Sequence, residues 1–464
     1  MSDSRFVSRD TLRAEFSAAM SAMYREEVPA YGTLIELVED VNAATLDGDP
    51  GLADSLAATG SLDRISEERH GAIRLGTGRE LAMMRRVFAV MGMVPVGYYD
   101  LSVAGVPVHS TAFRALSKTD LDRNPFRVFT SLLRRDLIAD EALRAEVDAI
   151  LAARDIFTEK ARELVERAEA QGGLSPGDGT LFVREVLETF RWHDRAVVDA
   201  ETYERLHRAH RLIADIVSFR GPHINHLTPR TLDIDAVQRL MPERGIVPKA
   251  VIEGPPARHC PILLRQTSFK ALEEPVALQG PGEESWQTGS HTARFGEIEQ
   301  RGIALTPKGS ALYDSLLAET RARVTPAGDG SNAREYAEIL QEVFCAFPDS
   351  WDEIRKGGLG YFIYSRTQAG DAAPPSPDED LESLIAAGLV RADPIVYEDF
   401  LPVSAAGIFQ SNLGDGPVGI LEGGASRATF ENELGTGVRD AFAYYGEIES
   451  ASIERCLRQP ALYE

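Results

Sequence analysis

Helical periodicity in this chain is cut again and again by short segments bounded by Gly or Pro, and this interleaving most limits what it can fold into. From Arg9 to about Tyr24, Leu12, Phe16, Met20 and Met23 recur at three- to four-residue steps, which predicts an amphipathic helix. TLIELVEDVN continues in the same style, and the run from Arg134 to Glu169 predicts two further helices. In GGLSPGDG, Ser175 is placed to cap a helix whose first turn holds Pro176. Glu201 to Phe219 reads as one more helix. Against this background, Met93 to Ser110 is rich in Val and Tyr and predicts a hairpin. INHLTPRT, ARHCPILLRQTSF, TARFGEIEQRGIALT, GLGYFIYSRT and IVYEDFLPVSAAGIFQSNL are short and strand-like. No fixed-period repeat is present. The pattern predicts an α+β fold in which a mainly antiparallel sheet is wrapped by many helices.

Charge narrows the function. Of 464 residues, 49 are Lys or Arg and 72 are Asp or Glu, a formal net charge of −23. Such a surface repels phosphate polymers, so no nucleic-acid partner is expected, and an anion site must be built from local Arg or Lys. Three Cys without a CxxC exclude a disulfide framework and a thiolate zinc site. The opening MSDSRFVSRDTLRAEF lacks an apolar core, and no apolar run reaches membrane-spanning length. A cytoplasmic protein without a membrane partner is the expectation. GDGPVG (414–419) has the spacing of a dinucleotide loop but carries Pro417 and lacks the strand and helix that loop needs. GLSPG (173–177) has the spacing of a hydrolase elbow, but Ser175 is already the helix cap. There is no P-loop and no HExxH.

What remains is a set of histidines and carboxylates in three contexts. In SEERHGAIRLGT, His70 and Arg74 share a face whether the segment is helical or extended. A guanidinium beside an imidazole favours the neutral, metal-binding form, and is itself shaped to hold a carboxylate. In FRGPHINHLTPRTLDIDAV, His226 sits at the opening of an extended run, while His223 follows Pro222 in a turn and is expected to be exposed. In TARFGEIEQRGIAL, strand alternation puts Phe295, Glu297, Glu299 and Arg301 on one face. A Glu299–Arg301 pair would account for one of the two carboxylates and leave the other free for a metal. Two neutral imidazoles and one carboxylate make a facial triad with three open positions, suited to Fe(II) and dioxygen; Zn²⁺ in the same set would favour hydrolysis.

ERHGAIRLGT, GPHINHLTPRT, LLRQTSFKAL and RFGEIEQRG, in that order, resemble the 2-oxoadipate dioxygenase/decarboxylase (2-hydroxyglutarate synthase) family along essentially the whole chain. That family is distantly related to the vicinal-oxygen-chelate dioxygenases, and the resemblance therefore implies a sheet or half-barrel around a metal site. Among those relatives the ligand Glu lies in a strand of the form F-x-E-hydrophobic-x-Q-R. The likeness of Phe295 to Arg301 selects Glu297, and that of NHLTPRTLDIDAV selects His226. The implied metal ligands are His70, His226 and Glu297, holding Fe(2+). The implied substrate contacts are Arg74 and His70, with backbone groups near Val403 and Ser404. The partners would be a 2-oxo diacid and O2, and the reaction 2-oxoadipate plus O2 to 2-hydroxyglutarate plus CO2 in lysine catabolism. The alternative is a vicinal-oxygen-chelate isomerase or hydrolase using Zn or Mn. The expected organisation is one elaborated catalytic domain over 1–464. Its parts are a helical 1–60, a first ligand region at 61–130, a helical insertion at 131–220 and a sheet-rich 221–464. In LLRQTSFKAL, alternation separates Arg265, Thr267 and Phe269 from Gln266, Ser268 and Lys270, and either set could line the cavity.

Overall fold

The computed structural model describes residues 5–58, 62, 64–66, 68–280, 285–372, 380–402 and 427–457. Two compact units divide the chain. One comprises Met1–Glu253, Gln266–Gln300 and Ala405–Val438; the other comprises Gly254–Arg265, Arg301–Ser404 and Arg439–Glu464.

The first unit is built on an open five-stranded sheet. Its strands are β1 (Glu68–Leu75), β2 (Val94–Asp100), β3 (Val108–Arg114), β4 (Arg127–Leu133) and, after β5 (Arg195–Asp199), β6 (Leu227–Pro229). Their spatial order is β2-β3-β4-β1-β6. Every pairing is antiparallel except β1 with β4. The fold is thus α+β, as the periodicity predicts. β1 is extended because its sequence alternates: Ile73 and Leu75 are fully buried in the apolar core, while His70, Ala72 and Arg74 take the opposite face. Burying each of those two aliphatic side chains contributes about 1.5–3 kcal/mol. Further along lie β7 (Leu264–Ser268), β8 (Glu273–Gln279), β9 (Trp286–Thr292) and β10 (Glu297–Arg301). β5, β8 and β9 form a three-stranded sheet, and β7 pairs with β10.

The helices follow their local signals. Ser8 accepts from Thr11 N and starts helix Arg9–Glu27, which buries Leu12, Phe16, Met20, Met23 and Tyr24. The Arg134–Glu169 run resolves into Glu141–Ala153 and Glu159–Gln171, capped by Asp140 and Thr158. Ser175 caps Pro176–Leu187 as its sequence indicates. Glu201 to Phe219 departs from expectation. It is two helices, Ala200–Ala209 and Arg211–Ser218, because His210 is extended and uses its ring to cap the second.

In the second unit, β11 (Phe362–Arg366) pairs antiparallel with β12 (Val390–Pro394). Helix Ala441–Leu457 lies against β11, with Ser452 Oγ accepting from Tyr364 N at 3.0 Å. The strand expected after Ile395 does not form over 395–402. Its remainder, and GDGPVG, lie outside the described residues. No helix among the described residues is long and apolar enough to cross a membrane.

Candidate metal centre

Sheet register assembles the site. His70 on β1 is opposite Arg127 on β4 and opposite Thr228 on β6, so three polar side chains meet on one face of the sheet's centre. A parallel bridge between Arg230 and Glu299, with Thr231 N donating to Glu299 O at 2.8 Å, lays β10 beside the end of β6. Alternation along β10 then turns Glu297 and Glu299 to the same side. Tyr24 ties the two ligand-bearing segments together, its hydroxyl lying 2.8 Å from both Asn225 O and Phe295 O. Gly71 allows the close approach: a Cβ there would stand 2.6 Å from Ile224 Cδ1 and 3.1 Å from His226 O.

His70, His226 and Glu297 converge, with one donor atom from each inside 4.8 Å of the others. His70 Nε2 lies 3.0 Å from Glu297 Oε1, and His226 Nε2 lies 3.7 Å from the same oxygen. Thr228 Oγ1 donates to Glu297 Oε1 at 3.1 Å and orients the carboxylate. Burial, then the charges of Arg74 and Lys249, push His226 down to about 3. His70 also falls to about 3; burial outweighs its hydrogen bond to Glu297, and the Arg127 charge acts with burial. Both rings are therefore neutral at physiological pH, the form a metal requires.

The donor set fits a divalent ion. Among the described residues, neither nitrogen of His226 has a hydrogen-bond partner: Nδ1 is buried without one, and Nε2 is too far from Glu297. An imidazole left so is costly, and a metal on the ring relieves that cost. His226 keeps 11% of its side-chain surface accessible, so the group is not sealed.

Several residues are placed otherwise than the sequence suggests. Glu299 is fully buried and pairs with Arg127, whose Nη2 is 3.0 Å from Glu299 Oε2. Arg301 donates to Tyr397 O. Glu299 Oε2 and Arg127 Nη2 each lie 3.2 Å from His70 Nδ1, so that nitrogen has both an acceptor and a donor behind it, while Nε2 faces Glu297. His223, expected to be exposed, is buried, with Nε2 at 3.3 Å from Asp215 Oδ1. The turn after Pro222 faces inward, stacked edge-on against Trp192 at 4.6 Å. Arg74 shares the His70 face of β1 as expected, but its Nη1 already donates to Asp215 Oδ2 at 2.7 Å. Val403 and Ser404 lie outside the described residues. In the LLRQTSFKAL segment, Gln266, Thr267, Ser268 and Phe269 are all buried, so alternation does not separate a lining face. Arg127, Thr228, Asp215 and His291 were not anticipated. For Arg127 the available signal was a lone Arg in FRVFTSLL, an otherwise apolar strand sequence that would bury it.

These features define a class: an α+β protein whose sheet presents a two-histidine, one-carboxylate group able to hold a metal. The comparison with known proteins narrows it. A family model described as 2-oxoadipate dioxygenase/decarboxylase matches residues 16–412, and this chain belongs to that family. The 2-oxoadipate dioxygenase/decarboxylase of Escherichia coli is 57% identical over 452 residues, covering 97% of this chain and 98% of the relative. The one from Mycobacterium bovis is 40% identical over 459 residues, covering 96% and 98%. The crystal structure of hydroxyglutarate synthase from Pseudomonas putida in complex with 2-oxoadipate superposes with a TM-score of 0.88 at 55% identity, covering 97% of this chain and 98% of that one.

Proposed function

We propose that this chain converts 2-oxoadipate and O2 to 2-hydroxyglutarate and CO2, using one Fe(II) held by His70, His226 and Glu297. The observation that carries this reading is the convergence of those three side chains; membership of the family supports the substrate. The stoichiometry closes. C1 leaves as CO2, one oxygen atom completes the new carboxylate at C2, and the other becomes the hydroxyl at C3. When bound, a ferrous ion with three protein ligands would supply open positions for a chelating 2-oxo acid and dioxygen, together with the redox chemistry that side chains lack.

The chain's own residues bind, orient and shield. With an ion bound at Nε2, Glu299, fixed by Arg127, would accept the Nδ1 proton of His70; without it, Nε2 donates to Glu297 Oε1 and Nδ1 can accept from Arg127 Nη2. Thr228 holds one oxygen of Glu297. Arg74 offers the substrate's far carboxylate the guanidinium donors not used by Asp215. The burial of His70, Glu297 and Glu299 keeps bulk water from the reacting end. We assign the reaction to lysine catabolism in the cytoplasm, a compartment in keeping with three free cysteines.

Anaerobic iron reconstitution followed by oxygen-electrode assays across a series of 2-oxo acids tests the reading. Oxygen uptake is expected with 2-oxoadipate and one Fe(II) per chain. No uptake at full iron loading, or turnover without air, would reject it in favour of an isomerase or hydrolase.

A further inference from the structure

A second buried polar assembly lies around Asp215. Its Oδ2 accepts from Arg74 Nη1 at 2.7 Å, and its Oδ1 lies 2.9 Å from His291 Nε2 and 3.3 Å from His223 Nε2. Because His291 Nε2 faces a carboxylate, that nitrogen carries the proton and Nδ1 is the acceptor. Tyr203 OH lies 2.8 Å from Nδ1, nearer than the 3.2 Å to its other acceptor, Ser290 O, and donates to Nδ1. The rings are locked by Trp192, stacked on His291 at 6.1 Å and edge-on to His223 at 4.6 Å. The result is a directed chain, Tyr203 to His291 to Asp215, ending on one side of the Arg74 guanidinium.

A buried carboxylate with this many partners is a costly way to stabilise a fold, since apolar residues of the same volume often do as well. Its effect here is geometric. Arg74 would otherwise be a long side chain with several rotamers; bonded at Nη1, it keeps one orientation, and its other donors have no acceptor among the described residues. Burial pushes Asp215 up, but His223, Arg74 and the hydrogen bonds outweigh it, and the group stays ionised well below the usual carboxylate range.

We infer that Asp215 is a positioning residue for the substrate: anchored through His291 and Tyr203, it aims Arg74 at the distal carboxylate of the 2-oxo diacid. This rests on the proposed reaction and deepens it, by assigning diacid selectivity to a carboxylate that never touches the diacid.

The test is calorimetric binding to the metal-loaded, anaerobic full chain, comparing 2-oxoadipate with 2-oxohexanoate, which lacks the distal carboxylate. Wild type should prefer the diacid, and Arg74→Ala should abolish the preference. Asp215→Asn should weaken diacid binding by about tenfold or more, the loss expected for a misdirected charge-assisted hydrogen bond. It should leave 2-oxohexanoate and metal affinity within about twofold. Tyr203→Phe should give a smaller loss of the same selective kind, about two- to fivefold, and decides the matter if Asp215→Asn does not fold. Equal weakening of both acids in these variants would make Asp215 merely structural, and unchanged diacid binding would also overturn the inference. A wild type without diacid preference would instead overturn Arg74 as the diacid's partner, and the proposed substrate with it.

Discussion

Replacing Glu299 by Gln preserves side-chain volume but removes the negative charge shared by His70 Nδ1 at 3.2 Å and Arg127 Nη2 at 3.0 Å. Two separate losses follow. With a metal on Nε2, His70 would carry its proton on Nδ1, and Glu299 is the acceptor within reach of it beside the donor Arg127 Nη2; an amide can present either a carbonyl or an NH2 there, so that tautomer is no longer favoured. Loss of such a partner weakens metal binding by about 10- to 100-fold, or about 1.4–2.7 kcal/mol. Arg127, fully buried, also loses its counter-charge. Breaking a buried pair costs about 3–5 kcal/mol, and the low end applies because the Gln carbonyl still accepts one hydrogen bond. Metal titration of the metal-free variant by calorimetry reads the first loss, and denaturant unfolding reads the second. Metal affinity within about twofold of wild type, beside a clear loss of stability, would refute the tautomer argument and leave Glu299 as a counter-ion for Arg127 alone.

Three further outcomes are expected. His226→Ala should drop bound metal from one ion per chain to none with the circular dichroism spectrum retained, because neither ring nitrogen leaves a hydrogen-bond partner stranded among the described residues; full metal stoichiometry would remove His226 from the site. Gly71→Ala forces a Cβ to within 2.6 Å of Ile224 Cδ1 and 3.1 Å of the His226 carbonyl. It should cost about 1–3 kcal/mol and weaken metal binding, and an unaltered Tm would contradict the packing described. His210 is held down to about 4 from 6.5 by burial and then by Arg74, Arg211 and His207, while its Nδ1 accepts from Leu212 N at 3.1 Å. The unfolded chain therefore takes up a proton near pH 6.5 that the folded one refuses until about pH 4. Stability should fall across that window by at most about 3 kcal/mol from this residue. His210→Asn keeps a capping oxygen and should flatten the fall, so parallel pH–stability curves for the two proteins would contradict it.

How far the sequence reached can be judged residue by residue. Strand alternation put His70 and Arg74 on one face and Glu297 and Glu299 on one face, and both pairings hold in β1 and β10. Capping chemistry located Ser175 at its helix start, since Ser offers the following amides an acceptor wherever the chain lies. Such signals are local, so they survive any tertiary arrangement. The break at His210 escaped because both halves are apolar on one side and only the backbone conformation shows the second cap.

Partner identity was not local. Glu299 and Arg127 are 172 residues apart, and nothing near Glu299 announces an arginine on another strand; the neighbour Arg301 looked sufficient. Likewise Arg74 meets Asp215 across 141 positions, and His223 turns inward because Asp215 and Trp192 are there to receive it. By itself, then, the sequence determined which residue types are available to hold a metal and an anion, and which faces they occupy, because short-range periodicity and caps depend only on neighbours. Sheet order and register, which bring distant strands side by side, decided which carboxylate backs which histidine and what holds the arginine.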